Sequence, residues 1–184
     1  MSLVTFAYPA ASQQRLRSAK MSHFVVRSVE RQDAAAIAEV WLDAARHHEA
    51  EDDRFRAPDR NVLIKWRADF ITAERGGDEL LLVVEDDGRV IGELIADVQR
   101  PSRFPQYFTH DIQEVALRIR ELTVLEADRH RGGGAALMRA AEDSGRRRGA
   151  TRVWMTIDVR NERSSPLCQT FHLEGDPVDF WQQL

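Results

Sequence analysis

The chain has 184 residues and a mass of 21.1 kDa, a size that fits one compact domain or one domain with an appendage. Apolar residues form 43% and charged residues 30% of the sequence, enough for a folded core, and no run of about 18 uncharged apolar residues is present to form a membrane-spanning helix. The formal net charge of −4 gives no overall attraction to nucleic acid, and the single cysteine, Cys168, excludes an intramolecular disulfide and favours a reducing, cytoplasmic location.

Residues 1–20 differ in composition from the rest of the chain. They contain no acidic residue, and three basic residues lie among Ala, Ser and Gln. We treat this segment as an N-terminal arm, with a contact to a second subunit in a homodimer as one interpretation. Residues 21–184 are expected to form a single domain.

Two helices are predicted in the first half of the chain, after a short β-branched strand over 23–29. Asp33 is a suitable N-cap for the first helix, in which apolar residues recur at helical spacing over 36–44. The second helix is expected over 60–74 and ends before two glycines. Along one of its sides lie Leu63, Ile64, Arg67, Phe70 and Ile71.

Three strands are predicted next. Apolar runs over 80–85 and 89–97 flank Asp86-Asp87-Gly88, a strong hairpin sequence. In the third strand, 114–126, the alternation of apolar residues changes phase between Ile119 and Leu122. A slip of one residue is what a β-bulge produces, and bulges often direct a side chain into an active site. Plain local irregularity is the alternative.

The remaining elements follow three glycines at 132–134. They are a helix over 135–148, a strand over 151–159, a short helix around 163–171 and a brief tail. The helix is expected to bury Leu137, Ala140, Ala141 and Ser144, and to expose Arg139, Glu142, Asp143 and Arg146. The whole order, β-α-α-β-β-β-α-β-α-β, predicts an α/β fold with a mixed sheet and helices on both faces.

The segment from Val124 to Met138 places a strand, three glycines and a helix in direct succession. Unpaired N–H groups at a helix start bind phosphate, and glycine lets the ligand approach the backbone. Arg129 and Arg131 add positive charge suited to a diphosphate. The P-loop pattern is excluded, since neither Lys nor Ser/Thr follows the glycines. A dinucleotide fingerprint stays open, although Leu137 stands in place of its third glycine.

Arg129, Gly132 and Gly134 match the pattern Arg/Gln-x-x-Gly-x-Gly/Ala. The segment thereby resembles the acyl-coenzyme A loop of the GNAT superfamily of N-acyltransferases. The strand before it, with Leu122-Thr123-Val124, is similar to the bulged fourth strand of that family, and Asn161 matches the asparagine that opens its last helix. The resemblance extends over about residues 23–171 and implies a GNAT-like fold, with a mostly antiparallel central sheet, a bulged fourth strand and helices on both faces.

The resemblance implies that acetyl-coenzyme A is the co-substrate and that a primary amine of a small molecule or peptide attacks its thioester in a ternary complex. It implies a diphosphate site at the amides around 131–135 and a pantetheine arm along the strand. A backbone N–H near Val124 would then polarise the thioester carbonyl. The residues expected to hold the co-substrate are Leu122, Val124, Arg129, Arg131, Gly132, Gly133, Gly134, Ala135 and Asn161.

Catalytic roles are expected for Glu121 and Cys168. Glu121 lies beside the predicted bulge, where it would act as general base directly or through water. A surface glutamate is the alternative, with Glu126 and His130 as weaker candidates. Many relatives have a tyrosine acid seven residues after the asparagine, and Cys168 stands there, with a packed structural cysteine as the alternative. These departures, together with His172-Leu173 in place of the family's Gly-Phe pair, favour a rival function: a catalytically silent acyl-coenzyme A sensor.

The loop between the first two helices is expected to select the acceptor, as is usual in proteins of this kind. Its sequence HHEAEDD provides Glu49, Glu51, Asp52 and Asp53, whose carboxylates would attract a cationic amine. A solvated acidic loop is the alternative. No metal is expected, because no His-Glu-x-x-His spacing occurs. Neither nucleic acid nor a membrane is expected as a partner, since the arginines at 146–148 end a helix, where positive charge is favourable anyway.

Overall fold

The computed structural model describes residues 24–51, 56–73, 77–100 and 114–156, together with two short strands nearer the C-terminus. The predicted arm over 1–20 and the predicted helix around 163–171 lie outside the described residues. Across the described segments, no helix is both long and apolar enough to cross a membrane.

Three helices and seven strands make up the described part of the fold. In chain order they are β1 (Val25–Ser28), α1 (Ala34–Glu51), α2 (Arg60–Thr72), β2 (Glu79–Asp86), β3 (Arg89–Gln99), β4 (Ala116–Val124), α3 (Gly133–Arg147), β5 (Arg152–Thr156), β6 (Glu174–Gly175) and β7 (Asp179–Gln183). The strands form one sheet in the order β1-β2-β3-β4-β5-β7-β6. Neighbouring strands are antiparallel except β4 and β5, which run parallel. The predicted mixed, mostly antiparallel sheet is therefore confirmed.

The helices cover both faces of the sheet, as predicted. On one face, α3 buries Leu137 completely, within a core that includes Leu94 of β3 and Leu117 of β4. Successive residues of a strand point to opposite faces. Glu93 therefore lies on the other face, where Arg67 of α2 contacts it. Because α1 packs against α2, these two helices together cover the face opposite to α3.

The helix α3 begins inside the glycine run, at Gly133, two residues before its predicted start. The buried residues of its apolar face agree with the prediction and include Leu137, Ala141 and Ser144. The prediction that Glu142 is exposed is wrong, since this residue is only 6% exposed. Its carboxylate lies 3.4 Å from Nη2 of Arg146, one turn further along. An ion pair at this spacing offsets part of the penalty of burying a carboxylate.

The C-terminal tail contributes more to the sheet than its sequence indicates. The predicted order ends in a single strand, whereas the structure has both β6 and β7. β7 pairs antiparallel with the whole length of β5, from Arg152 to Thr156. It therefore occupies the edge of β5 that β4 does not use.

The predicted β-bulge is present in β4. Ile119 pairs with Ala96 of β3, and Glu121 pairs with Ile95, so Arg120 is the extra residue. A bulge reverses which residues face each side of the sheet beyond it. In a regular strand without the bulge, Glu121 would share the face of Ile119 and point into the apolar core beneath α3. The bulge instead turns Glu121 toward α1 and α2.

Candidate active site

Among the described residues, the parallel pairing of β4 with β5 ends partway along β4, and we call the region beyond this point the gap. The last paired residues are Ile119 of β4 and Met155 of β5. β4 continues to Val124, whereas the described part of β5 ends at Thr156. Within the described residues, the second half of β4 is therefore paired on one side only, by β3.

Backbone groups of β4 point into this gap. The N–H of Leu125 donates to the carbonyl of Ile91 at 2.9 Å, and Val124 stands opposite Gly92. This register makes Val124 and Gly92 a non-hydrogen-bonded pair, so the N–H and C=O of Val124 point away from β3. Leu122, two residues earlier on the same strand, has the same orientation. Two of the residues predicted to contact the co-substrate therefore lie at the edge of the gap.

The glycine loop connects the end of β4 to α3. Gly132 has a φ of +104°, a conformation that residues with a Cβ rarely adopt. The N–H of Ala136 donates to the carbonyl of Gly132 at 2.9 Å, which is the first bond of the helix. The amides of Gly133, Gly134 and Ala135 therefore have no carbonyl partner inside the helix, and they carry the partial positive charge of its N-terminus.

The side chain of Arg129 turns back toward β4. Its Nε donates to the carbonyl of Val124 at 2.9 Å, and its Nη2 lies 3.8 Å from Oδ2 of Asp43 in α1. The same carboxylate oxygen accepts a hydrogen bond from the N–H of Glu126 at 2.8 Å. Arg129 thus occupies the Val124 carbonyl, so that the Val124 N–H is the polar group directed into the gap. This contact was not part of the sequence prediction, which assigned Arg129 to the diphosphate.

Arg131 lies between two carboxylates on the outer side of the loop. Its Nη1 is 2.6 Å from Oδ1 of Asp128, and its Nη2 is 2.6 Å from Oδ2 of Asp86. The hydrogen bond to Asp86 is the main reason that the pKa of Arg131 is raised. The side chain remains 42% exposed. A phosphate group can therefore reach Arg131, but it must compete with these two carboxylates for the guanidinium.

Glu121 is held by a buried arginine. Its Oε1 accepts a hydrogen bond from Nη2 of Arg67 at 2.7 Å, and the same nitrogen lies 3.1 Å from Oε1 of Glu93. The side chains of Arg67 and Glu93 are 1% and 2% exposed, whereas that of Glu121 is 24% exposed. In this Arg67–Glu93–Glu121 cluster, Glu121 is thus the member that reaches solvent.

Glu93 has a strongly altered environment in this cluster. Burial raises its pKa well above the ordinary value of 4.5, and the neighbouring Glu121 raises it further. Arg67 acts in the opposite direction but does not overcome the other two effects. The pair of carboxyl groups therefore holds a proton on Glu93 under conditions in which a glutamate in water is ionised.

The contact between Arg67 and Glu93 was not predicted from the sequence. Arg67 lies on the apolar side of the predicted helix 60–74, and Glu93 lies within the apolar run 89–97. Burying a charge is costly unless it is paired. A charged residue in each of two apolar patterns was therefore the signal that could have identified this pair.

The first residues of the predicted acceptor loop, 47–51, belong to a helix in the structure. α1 continues to Glu51, so Glu49 lies in the last turn of a helix, where its side chain is exposed. Asp52, Asp53, Asn161 and Cys168 lie outside the described residues. Among the residues that the structure does describe, no group of three His, Cys, Asp or Glu side chains is arranged to hold a metal ion.

Comparison with known families assigns the chain to a family. The sequence model of the acetyltransferase (GNAT) family matches residues 34–172. The chain therefore belongs to this family and is an acyl-coenzyme A-dependent acetyltransferase. Proteins of the family act in general on amine acceptors. A sequence search of curated proteins finds no match to the chain.

Solved structures with the same fold include several acetyltransferases. An N-acetyltransferase from Staphylococcus aureus Mu50 is 20% identical, with a TM-score of 0.65, over 88% of this chain and 99% of that chain. The PaiA N-acetyltransferase from Thermoplasma acidophilum, solved with coenzyme A, is 13% identical with a TM-score of 0.58 over the same shares. YncA, an acetyltransferase of Salmonella typhimurium solved with acetyl-coenzyme A, is 21% identical with a TM-score of 0.59 over 88% of this chain and 94% of that chain.

Proposed function

We propose that the protein transfers an acetyl group from acetyl-coenzyme A to a primary amine of a small molecule or peptide, by direct attack in a ternary complex. The observation that supports this most strongly is that β4 beyond Ile119 has no partner strand on the β5 side among the described residues, beside the bulge that turns Glu121 toward α2. An open strand edge can pair with an extended, amide-bearing ligand. A carboxylate next to that edge can accept the proton of an amine.

The residues around the gap fit an acyl-coenzyme A molecule. In our proposal the pantetheine amides pair with the backbone of Leu122, the Val124 N–H binds the thioester carbonyl, and the diphosphate binds the amides from Gly132 to Ala135. Arg131 contributes charge to the diphosphate, and Asn161 completes the set. Arg129 acts differently from the sequence prediction. Because it binds the carbonyl oxygen of Val124, that oxygen does not repel the thioester oxygen as the latter becomes negative.

The proposed chemistry is a direct aminolysis of the thioester. Glu121 takes one proton from the ammonium group of the acceptor, since an alkylammonium with a pKa of about 10 has no lone pair to donate. The nitrogen then bonds to the thioester carbon, whose oxygen is stabilised by the Val124 N–H, and the C–S bond breaks. Cys168, the proposed acid, gives its proton to the departing thiolate and regains one when the nitrogen loses its second proton. Water finally removes the proton from Glu121.

The acceptor is proposed to be cationic. Glu49 is exposed near the end of α1, and Glu51, Asp52 and Asp53 follow it after Ala50. A run of carboxylates at this position would raise the local concentration of a positively charged amine. Replacing residues 51–53 by their neutral amides should raise KM for di- and polyamines by about threefold to tenfold, with KM for acetyl-coenzyme A unchanged. An equal KM for cationic and neutral amines in both proteins would contradict this assignment.

Binding and turnover of the unaltered protein test the proposed function. Acetyl-coenzyme A at about 100 times its Kd should stabilise the folded state by about 2.7 kcal/mol, measured as a thermal shift. Release of free thiol should then depend on an added amine from a panel of primary amines. Glu121→Gln should bind acetyl-coenzyme A equally well and lower kcat about 100-fold. Binding without turnover of any amine would favour the silent sensor instead, and absence of binding would exclude both functions.

Three further predictions accompany this function. The single cysteine in the sequence favours a reducing compartment, for which we propose the cytoplasm. Residues 21–184 are proposed to form one domain and residues 1–20 an arm. A homodimer remains a prediction, which sedimentation of the full chain would test.

A further inference from the structure

Three charged side chains from three different elements meet on the α2 face of the sheet. Arg67 comes from α2, Glu93 from the middle of β3 and Glu121 from the bulge of β4. A single atom, Nη2 of Arg67, contacts both carboxyl groups, at 2.7 Å from Glu121 and 3.1 Å from Glu93. The guanidinium also lies over the ring of Trp66, with its Cζ 5.0 Å from the ring centroid. Arg67 is therefore fixed from two sides.

Stability alone does not account for this cluster. Removing charges from water carries a large penalty, and a buried ion pair can often be replaced by apolar residues without loss of stability. Arg67 and Glu93 are nearly inaccessible, and Nε of Arg67 is buried without a hydrogen-bond partner among the described residues. Glu121 is the partly exposed member, and it lies beside the part of β4 that borders the gap. The arrangement thus directs one carboxylate to the gap and buries the two groups behind it.

We propose that Arg67 and Glu93 are positioning residues that hold the Glu121 carboxylate beside the gap between β4 and β5, in the orientation in which it accepts the proton of the acceptor amine. This inference rests on the proposed function and extends it to two residues that do not touch substrate. Arg67 supplies one hydrogen bond to Glu121. Glu93 supplies the second contact, and without it Glu121 would be free to rotate about Arg67.

The burial of the two glutamates decides which of them carries the charge. With one cation and two carboxyl groups, the cluster is neutral when the pair holds one proton. Glu93 is buried more deeply, and the charged groups that act on it are Glu121 of β4 and Arg67 of α2. The pKa of Glu93 is raised well above 4.5 mainly by burial. Glu93 therefore keeps its proton and is placed to donate it in a hydrogen bond to Glu121.

The kinetic test uses Glu93→Met and Glu93→Gln. Methionine fills the space without a hydrogen bond, and we expect kcat to fall by about tenfold while KM for acetyl-coenzyme A stays within about twofold. Its melting temperature should change little, because Arg67 keeps Glu121 as its ion-pair partner when the buried acid is replaced by an apolar group. Glutamine resembles the protonated acid, so Glu93→Gln should restore most of the lost kcat. Arg67→Lys keeps the charge but shortens the reach, and should also lower kcat.

A matched control is available in Glu142, which is buried in α3 and belongs to no part of the site. Glu142→Met makes the same chemical change and should leave kcat unaltered. If Glu93→Met retains full kcat while the unaltered protein acetylates an amine, the positioning role is wrong and the proposed function stands. If the unaltered protein binds acetyl-coenzyme A but acetylates no amine, the proposed function fails and this inference fails with it.

A spectroscopic measurement tests the protonation state of the cluster directly. In the protein labelled with ¹³C at glutamate carboxyl carbons, one signal should have the position of a neutral acid at neutral pH, and Glu93→Gln should remove it. A second carboxyl signal, from Glu121, should shift in Glu93→Met because its partner is lost. If all glutamate carboxyl groups are ionised at neutral pH, Glu93 cannot donate a hydrogen bond to Glu121 and the proposal is overturned.

Discussion

At the scale of single residues, Glu93 is a carboxyl group in an environment that suits an uncharged acid. Its side chain is 2% exposed, and it shares Arg67 with a second glutamate. Because its folded-state pKa lies above the ordinary 4.5, the folded protein binds more protons than the unfolded chain once the pH exceeds about 4.5. Stability therefore decreases as the pH rises from 4.5 toward the folded-state pKa.

Glu93→Gln should remove this pH dependence. We expect the unaltered protein and the variant to be most similar in unfolding free energy below about pH 4.5. The variant should become progressively more stable by comparison as the pH rises to neutrality. Denaturant titrations over this range measure the difference directly. Glu142→Gln, a change at another buried glutamate, serves as the control. A difference that stays constant with pH would show that Glu93 is ionised in the folded state.

At the scale of elements, the start of α3 depends on one glycine. Gly132 combines a φ of +104° with a position where an added Cβ would lie 3.4 Å from Cε2 of Phe24. Its conformation turns the chain so that the first amides of α3 face outward from the loop, where the proposed diphosphate binds. Gly149 at the other end of α3 also has a positive φ, of +86°, but the described residues place nothing within 4 Å of an added Cβ there.

Alanine substitutions at Gly132 and Gly149 distinguish a loss of stability from a loss of ligand binding. Gly132→Ala and Gly149→Ala should each destabilise the fold by about 1–3 kcal/mol, because both place a Cβ at a strained positive φ. Only Gly132→Ala should also weaken acetyl-coenzyme A binding, by about tenfold, since it displaces the amides of the loop. Calorimetric titration at a temperature where both variants are folded makes the comparison. Equal affinities would indicate that the loop does not bind the co-substrate.

The β-bulge belongs to the same scale, since it decides the face on which Glu121 lies. Regular alternation after Ile119 would point Glu121 into the apolar core, whereas the bulge at Arg120 places it on the side of α1 and α2. The change of phase along 114–126 was visible in the sequence because period-two alternation is a local property. The contact of Glu121 with Arg67 was not visible in the sequence, because α2 precedes β4 by many residues.

At the scale of the whole molecule, Arg27 of β1 connects the segment before α1 with β2. Its guanidinium binds Asp33 at 2.7 Å, just before α1, and Glu85 of β2 at 2.6 Å. The hydrogen bond from Arg27 is the main reason that the pKa of Asp33 is lowered below 3.8. A carboxyl group whose pKa is lowered by folding stabilises the folded state at pH values above its unfolded-state pKa. This stabilisation is lost as the pH falls through the folded-state pKa.

Arg27→Met should therefore destabilise the protein in a way that depends on acid. At neutral pH we expect a loss of about 2 kcal/mol, since partly buried, charge-assisted hydrogen bonds are removed. The difference from the unaltered protein should shrink as the pH falls below about 3.8, where Asp33 takes up a proton in both proteins. Unfolding by urea as a function of pH provides the measurement. A difference that does not change under acid would assign the loss to packing of the Arg27 side chain.

Local sequence patterns by themselves determined much of this protein: the hairpin around Asp86-Asp87-Gly88, the glycine loop before α3 and the bulge in β4. Each depends on residues close together in the chain, because turns, helix starts and strand phase are set by neighbouring backbone groups. Tertiary structure alone decided that Arg67 meets Glu93 and Glu121, and that Arg129 covers the Val124 carbonyl instead of standing free. These contacts join residues from separate helices and strands, so they depend on sheet register and helix packing, which no local pattern contains.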